Sequence, residues 1–232
     1  MVSGYFTNNH RHSEKKRREY KGIIIYPDGS VYEGQIHNDL PNGKGRKIFN
    51  DLSYYVGNFI NSVPHGKGKL VDALGNYYIG DWINGKKEGE GIEESADEKY
   101  SGEFKSNERT GYTIWSKNGN QYNGIVNNGI PEGYGIFIWD NGKTYSGDWK
   151  AGKPYGKGKM QYNGGLIYEG EFKNGKRHGE GKLTTSEGDT YDGTWVDNKK
   201  QGKFIVSGNG KPTVITQWKD DELISAQMED LD

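Results

Sequence analysis

The chain has 232 residues, among them 37 glycines, 17 tyrosines and no cysteine, and its 31 basic and 32 acidic side chains leave a formal charge of −1. Without cysteine there is no disulfide framework, no thiolate metal site and no cysteine nucleophile, and without net charge nothing draws the chain towards nucleic acid. A mean hydropathy of −1.00 and the lack of any apolar run near the roughly 20 residues of a membrane span exclude a transmembrane helix, while aromatics at 13% argue against disorder.

Residues 1–21 form a basic tail with His10-Arg11-His12 and Lys15-Lys16-Arg17-Arg18. Such runs are solvated or partner-bound; a nuclear signal or an anionic-lipid contact is the sharper alternative. From 22 to 219 the chain repeats itself. Tyr-x-Gly begins at Tyr32, Tyr55, Tyr78, Tyr100, Tyr122, Tyr145, Tyr168 and Tyr191, at intervals of 22 or 23 residues. Two positions beyond each glycine stands Ile36, Phe59, Trp82, Phe104, Val126, Trp149, Phe172 or Trp195. Eleven residues after every tyrosine comes a further glycine, and in six of eight units it opens a Gly-x-Gly pair, broken by Thr113 and Phe204.

Each unit reads as a β-hairpin, because Tyr-x-Gly-x-aromatic has the two-residue period of a strand. Turn signals such as Asn84-Gly85, Asn128-Gly129 and Asn174-Gly175 separate its two strands, and Asn-Gly adopts φ > 0 readily. Pro41, Pro64, Pro131 and Pro154 fall in the same connections, which places them outside the ladders. Glycine weakens strands, so its columns need a cause: a missing Cβ lets Tyr and Trp rings lie over the backbone and replace a layered core. The fold expected is all-β, an elongated single-layer antiparallel meander of tandem hairpins. Beyond it, residues 220–232 begin with Asp220, Asp221 and Glu222 and space Ile224, Met228 and Leu231 at i, i+4 and i+7. That pattern predicts a short helix capping the last sheet edge.

The units carry a family resemblance. Tyr168-Glu169-Gly170-Glu171-Phe172-Lys173-Asn174-Gly175-Lys176-Arg177-His178-Gly179-Glu180-Gly181 resembles a full MORN repeat (membrane occupation and recognition nexus). Gly22 to Val31 resembles the second half of a leading unit, and Val214 to Lys219 a degenerate ninth with Trp218 at the aromatic position. The resemblance implies a non-catalytic scaffold that docks helices or extended segments of partner proteins. Similar proteins occur in radial-spoke heads of the ciliary axoneme and other cytoskeletal assemblies, which implies a cytoplasmic, cytoskeletal location. It also implies two rivals, a phospholipid-binding plate contacting phosphoinositides and a regulatory subunit of a separate enzyme.

No catalytic or metal-binding constellation accompanies this, and no cofactor is expected. His65 and His178 lie five repeats apart, and Gly-x-Gly recurs without the strand–loop–helix setting of a phosphate loop. Three surfaces remain. The aromatic face (Phe59, Trp82, Phe104, Trp115, Phe137, Trp139, Trp149, Phe172, Trp195) either stacks on itself or receives a partner. On the opposite face Lys44, Arg46, Lys67, Lys69, Lys157 and Lys159 are candidate anionic-lipid contacts. There too, Ile92, Tyr112, Ile114, Ile125, Tyr134, Ile136 and Ile138 make an apolar patch where water is expected; either a partner or this chain's own termini cover it.

Overall fold

The computed structural model describes residues 19–228; the basic clusters at 10–12 and 15–18 and the expected helical Leu231 lie outside the described residues. Two compact units divide the chain, the first ending at Gly111 and the second beginning at Tyr112. The first holds β1 (Glu19–Ile25), β2 (Val31–His37), β3 (Leu40–Ile48), β4 (Tyr54–Ile60), β5 (Val63–Val71), β6 (Tyr77–Ile83), β7 (Lys86–Glu94) and β8 (Glu98–Lys105). The boundary falls within β9 (Glu108–Lys117). The second unit continues with β10 (Asn120–Asn127), β11 (Ile130–Ile138), β12 (Thr144–Lys150), β13 (Lys153–Gln161), β14 (Ile167–Lys173), β15 (Lys176–Thr184), β16 (Thr190–Val196), β17 (Lys199–Gly208), β18 (Lys211–Lys219) and β19 (Glu222–Met228). Each strand pairs antiparallel with its neighbour in sequence, from β1 to β8 and from β10 to β19. The all-β antiparallel meander expected from the repeat is what forms.

The turn inside each hairpin has two residues with positive φ, as at Asn84 (50°) and Gly85 (76°), the type I′ geometry that matches strand twist. The glycine that follows, Gly89 in the same hairpin, is also left-handed at φ 66°, and the register between β6 and β7 slips there. This column therefore consists of glycine for its backbone, because a side chain at φ > 0 is strained. The other two columns consist of glycine for space. A Cβ on Gly91 would lie 2.4 Å from the Tyr78 ring, and one on Gly80 2.4 Å from its hydroxyl oxygen. The single cause expected for the glycine columns is thus two causes.

In register, the space-making glycines form a row across the strands of the first unit: Gly22, Gly34, Gly45, Gly57, Gly68, Gly80, Gly91 and Gly102. Tyrosine rings lie along it, and each hydroxyl donates to the carbonyl three residues ahead, as Tyr32 to Gln35 (2.7 Å) and Tyr78 to Asp81 (3.0 Å). Rings from successive repeats interlock edge to face: Tyr32–Phe59, Phe59–Tyr55, Tyr55–Trp82, Trp82–Tyr78, Tyr78–Phe104 and Phe104–Tyr100, all with centroids 5.0–5.3 Å apart. The second unit repeats the chain from Tyr122 through Trp149, Tyr145, Phe172 and Tyr168 to Trp195. Trp82, Trp149 and Trp195 donate their ring N–H to a backbone carbonyl of the preceding repeat, as Trp195 Nε1 to Gly181 O at 2.8 Å, whereas Trp218 donates to Thr216 Oγ1 at 2.7 Å. Such ring pairs add about 0.5–1.5 kcal/mol each beyond their buried area, which is how so polar a chain holds a core.

Two expectations are corrected. The residues read as a capping helix, Ile224 and Met228 among them, form the strand β19 on the edge of β18. Asp220 (φ 51°) and Asp221 (φ 75°) make one more type I′ turn, and an open edge of unpaired N–H and C=O groups is satisfied better by another strand than by a helix. The prolines lie inside ladders, not outside: Pro41 in β3 opposite Ile36, Pro64 in β5 opposite Phe59, Pro131 in β11 opposite Val126 and Pro154 in β13 opposite Trp149. β1 starts at Glu19, three residues before the repeats begin at Gly22.

Candidate interaction surfaces

The ring face is occupied by itself. Phe59, Trp82, Phe104, Trp149, Phe172 and Trp195 are buried together with the tyrosine column. Trp115, Phe137 and Trp139 are half-buried and pack against the second unit's core, and Lys143 Nζ stands 3.9 Å from the Trp139 ring centre. Burial raises the phenols of Tyr32, Tyr55 and Tyr122 to about 12 and those of Tyr78, Tyr145 and Tyr168 further still, because an ionised ring there would lose its water.

One column in this face escaped the sequence reading. Nine residues after the tyrosine, the repeats carry Pro41, Pro64, Lys87, Arg109, Pro131, Pro154, Arg177 and Lys200. The cations among them cover rings: Arg109 lies 4.6 Å from Tyr100, Arg177 4.3 Å from Trp195 and Lys200 3.4 Å from Trp218. Lys87 pairs with Glu93, while Arg109 reaches Glu93 at 2.7 Å and Glu98 at 2.5 Å. Proline and a long cation alternate as lids over the same stack; the signal was the shared offset from tyrosine.

The opposite face differs between units. In the second, Tyr112 (56%), Ile114 (58%), Ile125 (44%), Tyr134 (56%), Ile136 (39%) and Ile138 (38%) are all exposed. The Tyr134 hydroxyl and Ser146 Oγ are 2.9 Å apart, and the Tyr112 hydroxyl bonds to Asn123, so both rings are held in place across strands. Ile92 belongs to the first unit and is half-buried. The basic candidates are largely engaged. Lys67 Nζ is 2.7 Å from Asp81, Lys159 pairs with Glu169, and Lys157 stands opposite Glu171. Arg46 lies 4.8 Å from the Tyr54 ring centre and Lys69 4.1 Å from that of Tyr77. Lys44 makes no ion pair among the described residues.

Among the described residues no group of three or more His, Cys, Asp or Glu side chains could hold a metal ion. The backbone N–H of Asn84 donates to His65 Nδ1 at 3.5 Å, and His178 Nδ1 is 3.7 Å from Asp197. No helix of the described residues is long and apolar enough to cross a membrane.

A family model described as the MORN repeat matches residues 32–54, 55–76, 78–98, 100–112, 122–144, 145–167, 168–190 and 191–203. The chain belongs to the MORN-repeat family. Every match opens on a column tyrosine, and the fourth and eighth stop one residue short of Thr113 and Phe204. The geometry explains the second stop. In that MORN unit the Phe204 ring, fully buried, takes the place on the glycine row that tyrosine holds elsewhere and packs against Trp195 at 5.4 Å; Tyr191 is left half-buried. No curated protein matches the chain significantly. MORN repeats serve as protein- and lipid-binding units and are generally non-catalytic.

Proposed function

We propose that this MORN protein is a non-catalytic scaffold for protein–protein contacts, docking helices or extended segments of partners. The observation that carries the reading is the apolar patch of the second unit, where Tyr112, Ile114, Tyr134 and Ile136 face solvent on the side away from the rings. Aromatic and branched side chains gathered on a surface mark an interface. The ring face, by contrast, is filled largely by its own side chains, with a cleft of about 280 Å³ beside Tyr78, Lys87, Glu93 and Arg109. The resemblance to MORN proteins of radial-spoke heads supports a place in a cytoskeletal assembly such as the ciliary axoneme.

A phospholipid plate is the weaker reading. Lys67, Lys157 and Lys159 each face an acidic side chain on the adjacent strand, so the basic residues form no unopposed plane. Pairing Ile114→Asp with Ile136→Asp in the full chain tests the scaffold. Partner co-purification is expected to disappear while the thermal unfolding midpoint stays within a few degrees of wild type, since exposed substitutions typically stay within about 0.5 kcal/mol. A large fall in that midpoint would place the patch inside the protein, and retained co-purification would reject it as the docking surface.

A further inference from the structure

The first unit carries a trench on its own face away from the rings. It has a volume of about 760 Å³ and runs across β1 to β5. Two rows of side chains wall it, with the backbone of the glycine row as the floor. In one row Lys21, Lys44 and Lys67 stand on β1, β3 and β5, 23 residues apart each time. Alternate strands lie roughly 9–10 Å apart, so the lysine positions repeat at that interval, Lys67 leaning towards Asp81. Gln35 and Asn58 fill the places between them, and Gln35 Oε1 accepts the backbone N–H of Lys44 at 2.6 Å. Lys21 and Lys44 make no ion pair among the described residues. The facing row sets Arg46 beside one acid, Glu33, and two exposed apolar side chains, Ile23 (52%) and Val56 (44%). Counting Lys21, Lys44, Arg46 and Lys67 against Glu33 and against Asp81, which pairs with Lys67, the trench carries a net charge of 4 − 2 = +2.

The shape selects among anions. Rows two residues apart along a strand are separated by roughly 6.6 Å, too narrow for a helix about 10 Å across and wide enough for an extended chain. A polyproline II segment rises about 3.1 Å per residue and returns to the same side every third residue, a repeat of about 9.3 Å that meets the lysine spacing. A single nucleic-acid strand needs aromatic platforms for its bases, and the trench walls offer none. We infer that this trench binds an extended acidic peptide segment of a partner protein, with a carboxylate at every third residue.

The probe is a fluorescent peptide of four Glu-Pro-Ser repeats, titrated with the full chain by anisotropy. Its controls are a peptide of identical composition with the glutamates contiguous, and phosphatidylserine vesicles. Binding of the repeat peptide is expected, weakening as salt rises. Lys21→Glu with Lys44→Glu should lower affinity about tenfold, given the modest worth of each exposed charge pair. Lys157→Glu with Lys159→Glu in the second unit should leave it unchanged, as should Ile136→Asp. The neutral pair Lys21→Gln with Lys44→Gln should give an intermediate loss, which separates lost attraction from misfolding. No binding of the repeat peptide, equal binding of the contiguous one, binding to vesicles alone, or indifference to Lys21 and Lys44 would each overturn the inference.

Discussion

The backbone N–H of Lys87 donates to Oδ1 of Asn107 at 2.8 Å, linking one repeat to the hairpin turn of the next. The bond exists because residue 87 is not proline. In seven places the second turn residue donates its N–H to the carbonyl of the lid residue in the preceding repeat, as Asn107 to Lys87 and Gly85 to Pro64. Where the lid is Pro41, Pro64, Pro131 or Pro154 there is no N–H to satisfy, and the turn residue is Ser62, Gly85, Gly152 or Gly175. Where it is Lys87, Arg177 or Lys200, the turn supplies Asn107, Asn198 or Asp221, whose side-chain oxygens accept that N–H at 2.8–3.1 Å. These residues sit at φ 75–76°, which Asn and Asp tolerate best after glycine.

This pairing predicts a coupling. Asn107→Gly keeps the turn geometry and removes the acceptor, so it should destabilise by about 0.5–1.5 kcal/mol. In a Lys87→Pro background the same change should be close to neutral, since the donor is gone. Urea denaturation of the four proteins measures the coupling; additive effects would mean that the turn residue is chosen for its φ alone.

Two glycines only two positions apart in sequence should fail differently. A Cβ at Gly181 would lie 2.2 Å from the Tyr168 hydroxyl oxygen, so Gly181→Ala should cost about 1–3 kcal/mol of overpacking, with part regained in Tyr168→Phe. Gly179 has φ 62°, so Gly179→Ala should cost about 1–2 kcal/mol of backbone strain, and Tyr168→Phe should regain none of it. Unfolding free energies of the two double variants separate the causes.

The eighth unit inverts the usual ranking of its rings. Phe204 is fully buried and Tyr191 is not, so Phe204→Ala should cost about 3–5 kcal/mol and Tyr191→Ala clearly less. Thermal unfolding of both variants checks this; equal losses would show that Phe204 does not stand in for the column tyrosine.

Alkaline pH should unzip the ring stack. The phenols of Tyr32, Tyr55 and Tyr122 rise from 10.0 to about 12 on folding because burial disfavours the anion. The unfolded chain therefore releases those protons first, and stability falls as pH rises. The contribution is fully present below about pH 10 and is lost as pH climbs through about 12. Denaturant midpoints across that window, followed with phenolate absorbance, should decline together; a flat profile would show that the rings titrate without unfolding.

The period carried most of the fold. Tyr32, Gly34 and Gly45 recur together in six of eight repeats because the tyrosine ring lies where two Cβ atoms would stand, a constraint local to one hairpin and hence visible as spacing. The turns were equally legible, since Asn84-Gly85 and its equivalents adopt φ > 0 with few alternatives. Residues 222–228 were misread because Ile224 and Met228 suit a helix and a strand alike, and only the unpaired edge of β18 decides between them. The patch residues Ile114 and Ile136 could be named from alternation, but Ile92 could not be told apart from them without its burial.

The glycine and tyrosine of the composition, set at a period of 22 or 23 residues, determined that this chain would be a hairpin array with rings packed over glycine. Those requirements act within a repeat, where sequence distance and spatial distance coincide. Only the tertiary structure decided what passes between repeats: which lid covers which ring, why Asn107 answers Lys87, and how Lys21, Lys44 and Lys67 come to line one trench. Those relations join residues 9 to 23 positions apart through the strand register, and no local propensity encodes them.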